Sequence, residues 1–249
     1  MKKIDVLDKG HVILQDHMGS DLSIVNAARA SFNKKSVEFD EDDKRLLKFL
    51  YKNGHMSPFR HATLTFEIKA PLMVRSQWGK YTVGCDHSAP EYHLVLDGTG
   101  NGDEARFGDP IYARNESSRR YVSNDVVFYI PHSNEWRSAP ENKKQGSGEP
   151  ISQHVGEKYT NWLIEDTKRG LDRFNEALED GIAPEQARLF LHGYSLYANW
   201  YWTASLQSVL FFLNQRLNYD SQKEIQEYAK AVYELMQNIY PETMALIYK

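Results

Sequence analysis

Two arginines and two serines lie side by side in one short polar segment, residues 115–121. The segment reads Asn-Glu-Ser-Ser-Arg-Arg-Tyr and contains no aliphatic side chain. Because burying unpaired polar groups is costly, it cannot be an ordinary core element. Guanidinium groups beside hydroxyls suit a phosphate ester, since one guanidinium can donate to two phosphate oxygens. The competing interpretation is a solvated helix start with Asn115 as the N-cap residue.

A second group of residues has the side-chain types of a catalytic nucleophile or of a metal site. Cys85 lies two residues before His87, but nothing around this pair supports a catalytic thiolate, and a lone loop thiol is the favoured interpretation. Together with His93 these residues have zinc-ligand chemistry, yet a fourth ligand is not evident and the spacing fits no common zinc site. Ser117 and Ser118 lack a Ser-His-acid arrangement, which favours a positioning role. We therefore predict no metal site.

The composition excludes several classes of protein. The chain has 249 residues, 41% hydrophobic and 26% charged, as in ordinary globular proteins. A net charge of −4 argues against nucleic acid as a partner and against a polybasic membrane anchor. No apolar run approaches the roughly 18 residues of a membrane span. The single cysteine allows no internal disulfide, and no apolar signal region follows Met1, so we expect a cytoplasmic protein.

The periodicity of apolar residues predicts the elements that must position the polar segment. Alternation predicts strands at 11–18 and 63–69, and helical spacing predicts helices at 20–30, 40–54 and 71–78. Beyond residue 151 the pattern is helical. It predicts one or two helices over 151–178, an interrupted helix from Pro184 to about Arg216, and a last helix opened by a capping-box sequence at 221–224.

Two loop-like stretches interrupt this pattern, residues 83–110 and 138–150, and both are rich in residues that favour turns. The first is unusually long for a structureless connection, so we interpret it as an insertion at about 83–112 that contains a hairpin. The predicted fold class is α+β, with a small, mainly antiparallel sheet flanked by helices and a helical C-terminal half. The whole chain, 1–249, is predicted to form a single domain.

An ordered set of short motifs gives the chain a family resemblance. The motifs are Ser57-Pro58-Phe59-Arg60-His61, Gln77-Trp78, the segment at 115–121, Ala187-Arg188, Trp202-Thr203, Phe212-Leu213-Asn214-Gln215-Arg216 and Glu224-Ile225-Gln226. In this order they resemble the flavin-dependent thymidylate synthases over nearly the whole chain. The most specific part is Asn-Glu-x-Ser-x-Arg-Tyr, which is matched by Asn115, Glu116, Ser118, Arg120 and Tyr121.

The resemblance implies an activity and its cofactors. Members of the family convert dUMP to dTMP, taking a one-carbon unit from methylenetetrahydrofolate and reducing equivalents from NADPH through FAD. They are typically homotetramers whose active sites are built by several subunits. We therefore expect dUMP and folate as small-molecule substrates and a homotetramer with shared active sites.

The resemblance also assigns roles to individual residues. The residues implied to bind dUMP are Gln77, Lys80, Glu116, Ser117, Ser118, Arg119, Arg120, Arg188 and Arg216. The residues implied to bind the flavin are Ser31, His55, Ser57, Lys80, Tyr81, Thr82, Glu116, Ser205 and Gln207. Arg216 would be catalytic, because a guanidinium at the ring carbonyl stabilises an ionised pyrimidine. From residue types alone, Arg188 can equally pair with nearby acids and Arg216 can be a helix-dipole partner.

The chain departs from the family pattern mainly on the flavin side. Lys-Tyr-Thr at 80–82 stands where the family has Arg-His-Arg, and Ser-Leu-Gln at 205–207 stands where it has Asn-x-Arg. Asp220 occupies a position that is often histidine, and Arg106 is a candidate to restore a lost charge. Two alternatives therefore accompany the thymidylate synthase interpretation. One is a hydroxymethylase of deoxypyrimidine monophosphates, and the other is a nucleotide-binding paralogue without catalysis.

Overall fold

One five-stranded antiparallel sheet organises the protein in this computed structural model, which describes residues 2–79, 81, 93–95, 104–106, 113–116, 126–141 and 146–247. The strands are β1 (Lys3–Val6), β2 (Gly10–Met18), β3 (Thr63–Pro71), β4 (His93–Val95), β5 (Glu104–Arg106), β6 (Ala113–Glu116) and β7 (Tyr197–Ser205). The helices are α1 (Asp21–Arg29), α2 (Glu41–Lys52), α3 (Leu72–Trp78), α4 (Gln153–Glu179), α5 (Pro184–Ala187), α6 (Leu206–Arg216), α7 (Lys223–Met236) and α8 (Pro241–Met244).

The sheet has the strand order β1-β2-β3-β7-β6, and every neighbouring pair is antiparallel. In β3 the apolar residues Leu64, Phe66 and Ile68 are buried and alternate with half-exposed polar residues. This alternation places one face of the sheet on the helices, as expected for a half-buried strand. The predictions of strands at 11–18 and 63–69 and of an α+β fold with a mainly antiparallel sheet are confirmed.

Strand β7 corrects the prediction of an interrupted helix from Pro184 to about Arg216. Between Pro184 and Leu196 the helical elements are only α5 and two short 3₁₀ turns. The nine residues Tyr197–Ser205 then form β7, which pairs with the whole of β3. Trp200 and Trp202 are buried, whereas Tyr201 between them is exposed. Aromatic residues in this two-residue alternation suit a pleated surface better than a helix. Helix α6 begins only after Ser205.

Strand β6 corrects the helix-start interpretation of the polar segment. Asn115 lies opposite Tyr201 and Glu116 lies opposite Trp200 in an antiparallel ladder, so Asn115 is a strand residue and not an N-cap. The remainder of the segment, residues 117–121, lies outside the described residues. The polar segment therefore begins at an edge strand, next to the most aromatic strand of the sheet.

An aromatic cluster joins the sheet to the helices behind it. The ring of Trp78 stacks on Phe212 of α6 with centroids 4.3 Å apart, and it meets Trp200 and Trp202 edge-on. Helix α7 crosses β2 so closely that a Cβ on Gly10 would lie 1.9 Å from the Tyr228 hydroxyl oxygen, so only glycine fits there. These contacts anchor α3, α6 and α7 on one face of the sheet.

Two helix predictions are refined by the structure. Helix α4 is one continuous helix, not two. Helix α7 begins at Lys223 with Gln222 as its N-cap residue, so the predicted capping box at 221–224 does not form. The hydroxyl of Ser221 donates instead to the carbonyl oxygen of Gln215, 2.8 Å away.

Strands β4 and β5 pair antiparallel as a small separate sheet, which confirms the hairpin predicted within residues 83–110. That these residues are an insertion into a single domain stays a prediction. In the part of the chain that the structure describes, no helix has both the length and the apolar character that crossing a membrane would require.

Candidate functional site

A cavity of about 1070 Å³ opens between the helices and the segment around residues 129–147; we call it the Arg216 cavity. Its walls come from α3, from the end of α6, from the residues that lead into α7, and from the turn at Gly193–Ser195. Gln77 and Arg216, both predicted to bind dUMP, line this one cavity. The structure therefore brings together two predicted site residues that are 139 positions apart in the sequence.

Arg216 ends α6 and lies half-buried against Tyr81. Its guanidinium carbon is 5.4 Å from the centre of the Tyr81 ring, within the range of a cation–π contact. The Nε atom of Arg216 is buried and has no hydrogen-bond partner among the described residues. Because Arg216 lines the cavity, its guanidinium is suited to donate to an acceptor on a bound molecule. Its helix-end position also places it at the negative end of the helix dipole.

Tyr81 was predicted to contact the flavin, and the structure places it in the protein interior. Its side chain is 2% exposed, its ring meets Phe211 and Phe212 edge-on, and its hydroxyl donates to Gln215 Oε1 at 2.8 Å. Burial raises the pKa of the Tyr81 hydroxyl above its usual range, partly offset by the nearby guanidinium of Arg216. The phenol is therefore a neutral hydrogen-bond donor at neutral pH. Its contact with a flavin stays a prediction.

Gln77 belongs to a chain of polar contacts across the Arg216 cavity. Its amide nitrogen donates to Gln222 Oε1 and to the carbonyl oxygen of Met73, the latter at 3.3 Å. Gln222 donates in turn to Glu224 at 2.8 Å, and Glu224 pairs with Arg137 at 2.5 Å. This network ties α3, α7 and the segment around Arg137 into one wall.

Glu116 lies at the end of β6, where its carboxylate pairs with the guanidinium of Arg75 on α3. The pair joins the start of the polar segment to the helix that carries Gln77. Arg75 Nε is buried and has no partner among the described residues. The other residues predicted from this segment and from the Lys-Tyr-Thr motif lie outside the described residues: Lys80, Thr82, Ser117, Ser118, Arg119 and Arg120.

A second cavity, of about 580 Å³, contains three residues predicted to bind the flavin, and we call it the Ser31 cavity. Ser31, His55 and Ser57 all line it, beside the cationic side chains of Arg29 and Lys34. Phe32, Phe49 and Leu50 supply an apolar wall. The combination of hydroxyls, cations and apolar surface fits a cofactor that has both phosphates and flat rings.

Arg29 is held in place at this cavity by Asp43, which is completely buried. Both Arg29 Nε and a terminal nitrogen donate to Asp43 Oδ1, at 2.8 and 2.6 Å, and Ser36 Oγ donates to the same oxygen at 2.9 Å. Burial alone would raise the pKa of Asp43, but the hydrogen bonds from Arg29 and Ser36 outweigh it, so this pKa lies below its ordinary value of 3.8. The carboxylate therefore stays charged and fixes Arg29 at neutral pH.

Ser205 and Gln207 lie at the start of α6 and are 1% and 4% exposed. Ser205 Oγ caps α6 by accepting from the backbone nitrogen of Ser208 at 3.3 Å, and Gln207 Oε1 accepts from Arg60 at 3.3 Å. In one chain both side chains thus make internal contacts. Their predicted flavin contacts stay a prediction.

Arg188 is exposed, and it does not line the Arg216 cavity of its own chain. Its Nε donates to the backbone carbonyl of Glu185 at 3.1 Å. A single chain therefore does not bring Arg188 and Arg216 into a shared cavity.

Sequence reasoning missed three arginines at these sites: Arg29, Arg75 and Arg137. Arg75 precedes Gln77 by two residues on a helix, and its partner Glu116 lay in the polar segment, so a search for counter-ions could have suggested it. Arg29 and Arg137 gave no local signal, since each is fixed by an acid from another element.

Comparison with known structures identifies the fold. Two crystal structures of the UMP/dUMP methylase PolB from Streptomyces cacaoi, bound with 5-Br UMP and 5-Br dUMP, superpose with TM-scores of 0.73 and 0.75. Each is 22% identical, and the match covers 98% of this chain and 95% and 96% of the other chains. The protein thus shares the fold of these two structures.

Comparison of sequences gives the family. The family model described as "Thymidylate synthase complementing protein" matches residues 13–89 and 109–242. The flavin-dependent thymidylate synthase of Thermotoga neapolitana is 35% identical over 97% of this chain and 92% of its own length, and that of Thermosipho africanus is 31% identical over 98% and 93%. The chain belongs to the flavin-dependent thymidylate synthases, as its motifs had suggested.

Proposed function

We propose that this enzyme methylates dUMP reductively to dTMP, with methylenetetrahydrofolate as the one-carbon donor and NADPH as the reductant through FAD. One observation carries the proposal: the cation of Arg216, which has no acid partner among the described residues, lies on the wall of a cavity that it shares with Gln77. Family membership supports the reaction class, and we assign the nucleotide to the Arg216 cavity and the flavin to the Ser31 cavity.

The proposed role of Arg216 follows from the chemistry of uracil. The pyrimidine ring is a poor nucleophile until it carries negative charge, and a guanidinium at a ring carbonyl stabilises that charge. Because the Arg216 cavity excludes part of the solvent, this interaction is stronger than it would be in bulk water. Arg216 thereby activates the ring without an enzyme nucleophile, which agrees with the lack of a catalytic role for Cys85 in our interpretation.

The Ser31 cavity is the proposed site of the flavin. Its cations, Arg29 and Lys34, suit pyrophosphate oxygens, and Ser31, His55 and Ser57 can orient the cofactor by hydrogen bonds. When bound, the flavin supplies the reducing equivalents of the reaction. The protein residues around it bind the cofactor, orient it and exclude water.

The arrangement of the cavities supports a homotetramer with shared active sites. Among the described residues none lines both the Arg216 cavity and the Ser31 cavity. Exposed apolar side chains, including Trp162, Leu189 and Tyr194, offer surface for subunit contacts. We infer that the flavin held by one protomer meets the nucleotide held by another, and that Arg188 and Arg120 complete the phosphate site in the assembly.

We further propose that the chain is one domain with an insertion at about 83–112. The family model does not match residues 90–108, which supports that placement of the insertion. A single cysteine and a net charge of −4 support a cytoplasmic enzyme that acts on small molecules and has no nucleic-acid partner.

Purification followed by one assay tests the proposal. The protein should absorb as a flavoprotein, and with methylenetetrahydrofolate and NADPH it should release tritium from ring-labelled dUMP. Mass analysis of the product separates a methyl from a hydroxymethyl group. Hydroxymethyl transfer is not favoured, because the relatives are named as synthases and the similar structures as a methylase. A colourless protein that binds dUMP without releasing tritium would contradict the proposal and favour a non-catalytic paralogue.

A further inference from the structure

Tyr81 connects the end of α3 to the end of α6. Its backbone nitrogen donates to the carbonyl oxygen of Trp78 at 3.1 Å, so its position continues directly from α3. Its ring lies against Phe211 and Phe212, and its hydroxyl donates to Gln215 at 2.8 Å. The side chain thus contacts the last two turns of α6 at several points.

Among the contacts of Tyr81, the one with Arg216 involves a residue that lines the Arg216 cavity and is proposed to contact the substrate. The guanidinium lies 5.4 Å from the ring centre, while its buried Nε has no partner among the described residues. A partly desolvated cation gains from the negative face of an aromatic ring. The hydrogen bond from Tyr81 to Gln215 fixes the residue immediately before Arg216, and Ser221 holds the Gln215 carbonyl oxygen at 2.8 Å.

We propose that Tyr81 is a positioning residue that holds the Arg216 guanidinium at the cavity wall, through its ring face and through its hydrogen bond to Gln215. The inference rests on the proposed function, in which Arg216 contacts the pyrimidine. Tyr81 itself lines neither the Arg216 cavity nor the Ser31 cavity. The tyrosine at this position therefore contributes to turnover from the protein interior.

Two substitutions distinguish the contribution of the Tyr81 ring from that of its hydroxyl. Tyr81→Phe keeps the ring and removes the hydrogen bond, so kcat should fall about three- to tenfold, the fold-change of one neutral hydrogen bond. Tyr81→Leu removes both contacts, and kcat should fall about a hundredfold, as expected when a reacting group is misplaced by roughly 1 Å. The KM for dUMP should change little in either variant, because Arg216 acts on charge that develops during the reaction.

Tyr51→Phe is the matched control. The Tyr51 hydroxyl donates to Asn214 Oδ1 at 2.9 Å, so this variant also removes a phenol–amide bond from the last turn of α6, but neither residue lines the Arg216 cavity. We expect wild-type kcat and KM from the flavin-loaded Tyr51→Phe protein. If it loses as much kcat as Tyr81→Phe, both bonds merely stabilise α6 and the positioning role is overturned.

A crystal structure of each flavin-loaded variant separates this inference from the proposed function. In Tyr81→Leu the Arg216 guanidinium should leave its place at the cavity wall, and in Tyr81→Phe it should shift by a smaller distance. An unmoved guanidinium in Tyr81→Leu, or wild-type turnover by that variant, would overturn the inference. If wild-type protein fails to methylate dUMP, the proposed function is wrong, whereas the position of Arg216 in the variant crystals still decides the role of Tyr81.

Discussion

At the scale of single residues, the two described arginines proposed to hold the nucleotide have opposite surroundings. Arg216 is half-buried against an aromatic ring and lines a cavity, whereas Arg188 is exposed and donates to the backbone carbonyl of Glu185. A buried cation keeps one orientation, and an exposed one is available to a molecule bound elsewhere. Replacing Arg216 and replacing Arg188 should therefore have different effects on turnover and on dUMP binding.

Replacing Arg216 should abolish turnover and leave the fold intact. Arg216→Ala removes the charge that stabilises the ionised pyrimidine, and no acid pairs with Arg216 among the described residues, so no carboxylate is left uncompensated. Tritium release measures the turnover, and circular dichroism together with thermal unfolding measures the fold. Arg216→Lys is the matched control, since it keeps the charge and loses the planar fork. Near-normal activity of the alanine variant would remove the catalytic role.

Replacing Arg188 should weaken dUMP binding rather than turnover at saturation. Arg188→Ala removes one charge-assisted phosphate contact, worth about 2–5 kcal/mol if the contact is buried in the assembly. Calorimetric titration with dUMP measures the loss, and titration with deoxyuridine, which lacks the phosphate, supplies the control. An unchanged dUMP affinity would show that Arg188 is only a surface residue.

At the scale of helices and strands, sequence patterns predicted most of what positions the site. The alternation of Leu64, Phe66 and Ile68 predicted β3, and the helix predicted at 71–78 is α3, which begins one residue later at Leu72. Strand β7 was missed because helical residues flank it on both sides, although Trp200 and Trp202 have strand spacing. Local patterns report periodicity within a segment, so a strand between two helical segments is easily assigned to one continuous helix.

The candidate site was predictable only where the family resemblance assigned a residue to it. Gln77, Arg216, Ser31, His55 and Ser57 were named from that resemblance, and the structure places them in two cavities. The contact of Tyr81 with Arg216 could not be named, because it joins residues 135 positions apart through packing alone. Long-range contacts of this kind depend on how elements dock, and no local pattern encodes them.

The ion pair between α1 and α2 should make stability depend on acid pH. The pKa of Asp43 is lowered in the folded protein, so its stabilisation is fully present above the unfolded value near 3.8 and is lost as the pH falls through the lower folded value. Asp43→Asn should lose about 3–5 kcal/mol at pH 7, because it leaves Arg29 without its carboxylate.

Urea unfolding of wild type and Asp43→Asn across the acid range measures this dependence. The free-energy difference between the two proteins should stay constant down to about pH 4 and shrink below it. A difference that is constant into stronger acid would contradict the lowered pKa of Asp43. Asp42→Asn is the control, since Asp42 is exposed and its pair with Arg45 lies on the surface.

At the scale of the whole molecule, the proposed shared sites make a prediction about mixed assemblies. If Arg188 and Arg216 of one active site come from different protomers, an equal mixture of Arg188→Ala and Arg216→Ala chains should regain about a quarter of the wild-type sites. Subunits exchanged in mild denaturant and then assayed for tritium release would measure this recovery. Mixing each variant with itself is the control. No recovery in a verified mixed tetramer would place both arginines in the same chain.

The separation of the two cavities also has a consequence for how the reaction rate depends on enzyme concentration. If the active sites are shared as proposed, a lone protomer would hold the nucleotide part of one active site and the flavin part of another. Below the concentration at which protomers associate, the rate should then fall more steeply than the amount of protein. A cell that made too little of this enzyme would stop supplying thymidylate while folded chains were still present.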